Sequence, residues 1–190
     1  MSSTQARILQ AAERLIAEHG AGFTMADVAR ETGVSRQAVY LHFASRASLL
    51  MALVRHMDDV DGIRPRCERA LAVPDPVEAL RAFLFAWLRY AARIRPVASA
   101  LLASRRDDPD TAAAWEDRMG ELREGFLVAA RRLGGAGLLR PGLAPETAAD
   151  LAWAMTSVPV WEQLTIDCGM SAHDAGQHLT DAVTAAIVGS

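Results

Sequence analysis

Arg36, Gln37, Tyr40 and His42 fall within one seven-residue stretch, and their side chains suit the reading of duplex nucleic acid. A guanidinium pairs in two-pronged fashion with O6 and N7 of guanine, and a carboxamide with N6 and N7 of adenine. Each good pair discriminates by about 1–3 kcal/mol. Ala38, between them, offers a methyl group to a thymine. The phenol and the imidazole suit phosphate oxygens, as do Thr24 and Arg46 on either side. With Ser35 and Ser45, the candidate DNA-contacting residues are Thr24, Ser35, Arg36, Gln37, Ala38, Tyr40, His42, Ser45 and Arg46. Simpler roles also stand beside these for some of them. Thr24, Ser35 and Ser45 suit helix caps, Tyr40 suits local packing, and His42 suits an ordinary surface or core histidine. Phe43 reads as core.

Such side chains need a helix that presents them away from its own support. Ile8, Leu9, Ala12, Leu15 and Ile16 form one helical stripe, which predicts an amphipathic first helix over about residues 4–18. Thr24 and Asp27 make a capping pattern for a second helix to about Glu31. Gly33 marks a turn, Ser35 opens a third helix over about 36–42, and Ser45 opens a fourth from about Arg46 to Val60. Ala29, Gly33 and Val39 stand at offsets 0, 4 and 10. They supply a small residue at a helix crossing, a glycine in the turn and an apolar residue on the inner face of the next helix. That is the pattern of a helix-turn-helix, whose second helix is free to enter a major groove. Residues 1–48 carry five Arg (7, 14, 30, 36, 46) against four acids (13, 18, 27, 31), a net charge of +1. One such head binds DNA weakly; two on a dimer roughly double the contacts, with affinity falling steeply as salt rises.

The stretch "TMADVARETGVSRQAVYLHFASRASLL" resembles the DNA-binding head of the TetR (tetracycline-repressor-like) family. The likeness rests on Thr24, Val28-Ala29, Gly33-Val34-Ser35, Tyr40, His42-Phe43, Ser45-Arg46 and Leu49, and it covers roughly residues 5 to 55. The common pattern often has Gly where this chain has Gln37 and Thr where it has Ala38, which makes Gln37 a candidate for direct base readout. The resemblance implies a DNA-binding domain over 1–48 and a helical domain over 49–190 that dimerises and often holds an effector.

The remainder of the chain is again helical in period. A break is expected at Gly62-Ile63-Arg64-Pro65, with helix resuming at Asp75-Pro76 and broken or kinked at Pro96. Another long helix is expected from Asp108-Pro109 to about Leu133, followed by the loop "GGAGLLRPGLAP". A helix from Pro145 to about Cys168, interrupted or bent at Pro159, and one from Ser171 to about Val188 complete an all-α chain of about nine helices. Trp87, Tyr90, Trp115, Met119, Phe126, Trp153, Met155 and Trp161 are either core or the lining of a chamber for a small apolar or aromatic molecule. The last two helices are the expected homodimer face. In the final one Ala175, Leu179, Ala182, Val183, Ala186 and Ile187 form a stripe of mostly small residues. Two such helices from each copy make a four-helix bundle about a two-fold axis. Recognition helices spaced about 34–36 Å apart then read an inverted repeat.

The bulk numbers limit the alternatives. The 190 residues carry a net charge of −3, so any nucleic-acid surface is local. All 20 basic residues are Arg, a bias that genome composition explains and that also suits two-pronged phosphate or guanine recognition. Cys67 and Cys168 stand far apart and make neither a disulfide framework nor a zinc motif. His173 and His178 are five apart, off the one-face spacing of a metal pair, and Asp58, Asp59 and Asp61 read as a solvated helix end. There is no nucleophile elbow, phosphate loop or dinucleotide fingerprint, so neither catalytic residues nor a cofactor are expected. No signal-peptide pattern and no apolar run of about 20 residues occurs, which points to a cytoplasmic protein without a membrane partner. The expected function is that of a homodimeric repressor on double-stranded DNA, released by a small molecule. An activator, or a ligand-binding protein with a vestigial head, are the alternatives.

Overall fold

The computed structural model describes residues 2–105 and 109–189. Among them the α-helices are α1 (Ser3–His19), α2 (Met25–Thr32), α3 (Arg36–His42), α4 (Arg46–Asp61), α5 (Ile63–Leu71), α6 (Pro76–Ser104), α7 (Pro109–Gly135), α8 (Pro145–Met155), α9 (Val158–Glu162) and α10 (Ala172–Ile187). A 3-10 turn covers Gly20–Gly22 and a π-helical turn covers Gln163–Asp167. The chain is all-α, as its periodicity predicts, with one helix more than expected.

The extra helix is α5. Gly62 adopts a left-handed conformation (φ 58°, ψ 42°) and begins it, and Pro65 falls in its first turn. A helix leaves its first N–H groups unpaired, so proline costs little there. Of the break or kink expected at Pro96, the break does not occur: α6 runs through the proline without interruption. Ile94, Val97, Ala98 and Leu101 on either side are buried, and that burial offsets the one N–H the proline removes. The segment before Cys168 is divided, as the sequence suggests. α8 ends at Met155, and Ser157 precedes α9 with Pro159 at its second position. Asp108, the expected start of α7, lies outside the described residues.

The chain divides into two compact units. One comprises Met1–Val60 and Ile94–Asp117, the other Asp61–Arg93 and Arg118–Ser190. In the first, α1 packs on α2 and α2 on α3. Ile8, Leu9, Val28, Val39, Leu49, Leu50 and Leu53 are fully buried. In the second, the Phe83 and Phe126 rings meet edge to face with centroids 5.0 Å apart. This contact requires a residue without a side chain at Gly125, where a Cβ would overlap Phe83 Cζ. α10 packs on α8. The C-terminal segment is tied back by an antiparallel bridge between Leu139 and Val188 and by the Arg140 guanidinium on the Ala185 carbonyl at 2.6 Å.

Candidate nucleic-acid interface

The head is held by bonds that the sequence makes with its neighbours. At the start of α2, Thr24 Oγ1 accepts from the Asp27 N–H, while the Asp27 carboxylate accepts from the Thr24 N–H (2.8 Å) and hydroxyl (2.7 Å). The two Thr24 donors, joined by the Arg30 guanidinium, hold the Asp27 carboxyl below the usual aspartate range. At the other end Gly33 is left-handed (φ 68°, ψ 22°), and its N–H reaches the Ala29 and Arg30 carbonyls. A side chain at that φ is strained, so glycine fixes the turn. Arg7 of α1 donates to the Thr32 carbonyl at 2.6 Å and fastens the end of α2.

The next two helices begin in the same manner. Ser35 Oγ accepts from the Ala38 N–H at 3.1 Å. Ser45 and Ser48 cap reciprocally: each hydroxyl accepts from the other's N–H, at 3.1 and 3.0 Å. Arg46 Nε donates to the Phe23 carbonyl at 3.1 Å, and the guanidinium lies over the Phe23 ring at 4.9 Å from its centroid. Burial pulls the Arg46 guanidinium below its ordinary range.

These bonds sort eight of the nine expected DNA-contacting residues into two groups. Thr24, Ser35, Ser45 and Arg46 are engaged in holding the head together. Arg36, Gln37, Tyr40 and His42 are exposed, and among the described residues their side chains make no hydrogen bond, ion pair or ring contact. Ala38 is half-buried on the flank of α3. Val39, on the opposite side, is fully buried and anchors the helix. The structure therefore leaves one helix with an unengaged polar face on an internally satisfied frame.

The sequence pattern of the bacterial regulatory proteins of the tetR family matches residues 8–53. AcnR, an HTH-type transcriptional repressor of Corynebacterium efficiens, is 31% identical over 144 residues, which is 73% of this chain and 70% of AcnR. The chain belongs to the TetR family. TtgR, an HTH-type transcriptional regulator of Pseudomonas putida, is 35% identical over 82 residues, 43% of this chain; the match spans only 39% of TtgR's length. Among solved structures, that of the SmeT–triclosan complex shares the fold, with a TM-score of 0.75 at 23% identity over 98% of this chain and 92% of that one.

In this TetR-family chain the eight residues expected at a ligand chamber are mostly packed. Trp87, Tyr90, Trp115, Met119, Phe126 and Trp161 are buried, and Trp153 and Met155 are half-buried. Trp115 belongs to the first unit and the other seven to the second. Trp87 Nε1 donates to the Thr156 carbonyl at 2.9 Å, and its ring lies 6.4 Å from that of Tyr90. The stripe expected to pair two copies of α10 is turned inward instead. Ala175, Leu179, Val183 and Ile187 are buried within the chain, while Ala182 and Ala185 stay exposed, with Leu151 and Ala154 exposed on α8. Periodicity identifies an apolar face but not its partner; here the same chain buries that face, with α8 among the elements packed on α10. No helix among the described residues is long and apolar enough to cross a membrane, and no group of three or more His, Cys, Asp or Glu is placed to hold a metal.

Leu41, whose type alone suggests core, also stands on this face of α3. It is the most exposed of the large apolar side chains among the described residues, at 80%. Its signal was its position two residues after the buried Val39, which turns it away from the core.

Proposed function

We propose that this TetR-family chain is a DNA-binding transcriptional regulator, a repressor that reads an inverted repeat as a homodimer and leaves it on binding a small molecule. Residues 1–48 form the DNA-binding domain and residues 49–190 the effector-binding and dimerisation domain. The observation that carries the reading is the state of α3: Arg36, Gln37, Tyr40 and His42 are exposed and unengaged on a helix whose frame is internally satisfied. In this role Arg36 and Gln37 contact base edges, and Tyr40 and His42 contact phosphates. Thr24, Ser35, Ser45 and Arg46 position these residues, and the capped N-termini of α2 and α4 present N–H groups to the backbone of the duplex.

The second copy is expected on the exposed faces of α8 and α10, where Leu151, Ala154, Ala182 and Ala185 offer apolar, close-approaching surface. The effector is expected to be small and apolar or aromatic. The aromatic residues of the second unit support this, as does likeness in fold to SmeT, whose solved structure is a complex with triclosan. Release then follows from the effector's stronger affinity for a conformation that binds DNA less well.

The test is selection of the purified protein against a random pool of duplex DNA, repeated with Arg36→Ala. Enrichment of an inverted repeat, relaxed in the variant, is the expected outcome. Folded, dimeric protein that enriches nothing at low salt refutes the reading.

A further inference from the structure

We infer that Leu41 is a specificity-determining residue that reads the 5-methyl group of a thymine in each half-site; the inference rests on the DNA-binding reading of α3. At about 100° per residue, Gln37 and Leu41 lie on either side of the direction opposite Val39, the residue that buries the helix. They are therefore the two side chains of α3 that point most directly away from the head. Leu41 is 80% exposed and its neighbour Tyr40 is 46% exposed. The other large exposed apolar side chains, Val60, Phe85, Val128, Leu151 and Ile166, are scattered over α4, α6, α7, α8 and the π-helical turn. Two on one seven-residue helix form a concentrated apolar patch, beside Arg36 and Gln37.

The chemistry of the major groove selects one partner for that patch. Phosphates and the polar base edges give a branched alkyl group nothing to bond. The thymine methyl is the apolar feature that a natural base displays in the major groove. Ala38, which the sequence suggested for this task, lies on the flank and is half-buried. Leu41 reaches further and stands beside Gln37, so an adenine–thymine step is the combined target: the carboxamide on adenine N6 and N7, the leucine on a thymine methyl.

Replacing thymine by deoxyuridine removes that methyl and keeps the pairing and the O4 acceptor. The selected duplex is remade with deoxyuridine at each thymine in turn, and equilibrium affinity is read by fluorescence anisotropy for the native protein, Leu41→Ala and Leu41→Met. One thymine position per half-site is expected to weaken native binding by about fourfold, the loss of one buried methyl. Leu41→Ala binds the thymine duplex more weakly and is indifferent to deoxyuridine there, while Leu41→Met restores the sensitivity. The same deoxyuridine penalty in Leu41→Ala as in the native protein overturns the inference and leaves the DNA-binding reading standing. Failure to select any duplex overturns both. The side chain is exposed, so unchanged melting of the variants separates reading from folding.

Discussion

Arg46 lies across Phe23: its Nε donates to the Phe23 carbonyl at 3.1 Å and its guanidinium covers the ring at 4.9 Å from the centroid. This contact joins the start of α4 to the residue that precedes the α2 cap. A charge at this position suits DNA, but the geometry turns it toward the head. Arg46→Ala is expected to lower stability by about 2 kcal/mol, from the charged hydrogen bond and the ring contact together. Arg46→Lys, which keeps the charge and loses the planar fork, should melt nearly as early. Thermal denaturation of the two variants checks this. If the lysine protein melts like the native one, Arg46 serves as a charge and not as a brace.

Ser35 and Arg36 are adjacent and should fail in opposite ways. Ser35→Ala removes the cap of α3 and is expected to cost about 1 kcal/mol of stability, weakening all DNA sequences alike. Arg36→Ala should leave melting unchanged and relax selectivity at one base position by about 1–3 kcal/mol. Melting curves and a set of single-base operator variants distinguish the two.

The Asp27 carboxyl is held below its ordinary range, chiefly by the Thr24 hydroxyl. A group whose native value is lowered stabilises the fold fully above the unfolded value, about 3.9 for aspartate, and that contribution fades as the pH falls through the lowered native value. The head should therefore lose its α2 cap only in acid, below about pH 4. Asp27→Asn should show a shallower fall of melting temperature with acid than the native chain. Parallel curves for the two proteins would contradict the assignment.

Two glycines of α7 make opposite predictions. At Gly120 an added Cβ meets nothing within 4 Å, so Gly120→Ala should stabilise the helix by up to about 1 kcal/mol. At Gly125 the same methyl overlaps Phe83 and disturbs its edge contact with Phe126. Gly125→Ala should destabilise by on the order of 1–3 kcal/mol, more than the helical gain returns. Denaturant melts of both single variants read the difference in sign.

The head was legible because its decisive signals are local. A hydroxyl before a helix finds an N–H three residues on, and a glycine in the turn takes up its left-handed φ, whatever the rest of the chain does. Elsewhere the outcome depends on distant partners. Pro65 and Pro96 read alike as breakers, yet one falls in a first turn and the other in a helix flanked by buried residues. The α10 stripe reads as an interface between copies, yet Ala175, Leu179, Val183 and Ile187 are buried within the chain, where α8 packs on α10. Gly125 gave no signal at all, because its need arises from Phe83, which lies 42 positions earlier in the chain. Of the candidate site, Arg36, Gln37, Tyr40 and His42 are suggested by residue type, and the structure shows them exposed on α3. Leu41 reads as core by type until its angle to Val39 is considered.

The separation between frame and face in the head has an evolutionary consequence. Thr24, Asp27, Gly33, Ser35 and Arg46 are each committed to bonds within the head, so drift there loosens the domain. The side chains of Arg36, Gln37, Tyr40, Leu41 and His42 are exposed and make no hydrogen bond, ion pair or ring contact among the described residues, so exchanges among them carry little folding cost. If α3 reads DNA as proposed, copies of such a protein can, after a gene duplication, acquire different addresses on the genome one residue at a time, without passing through an ancestor that fails to fold.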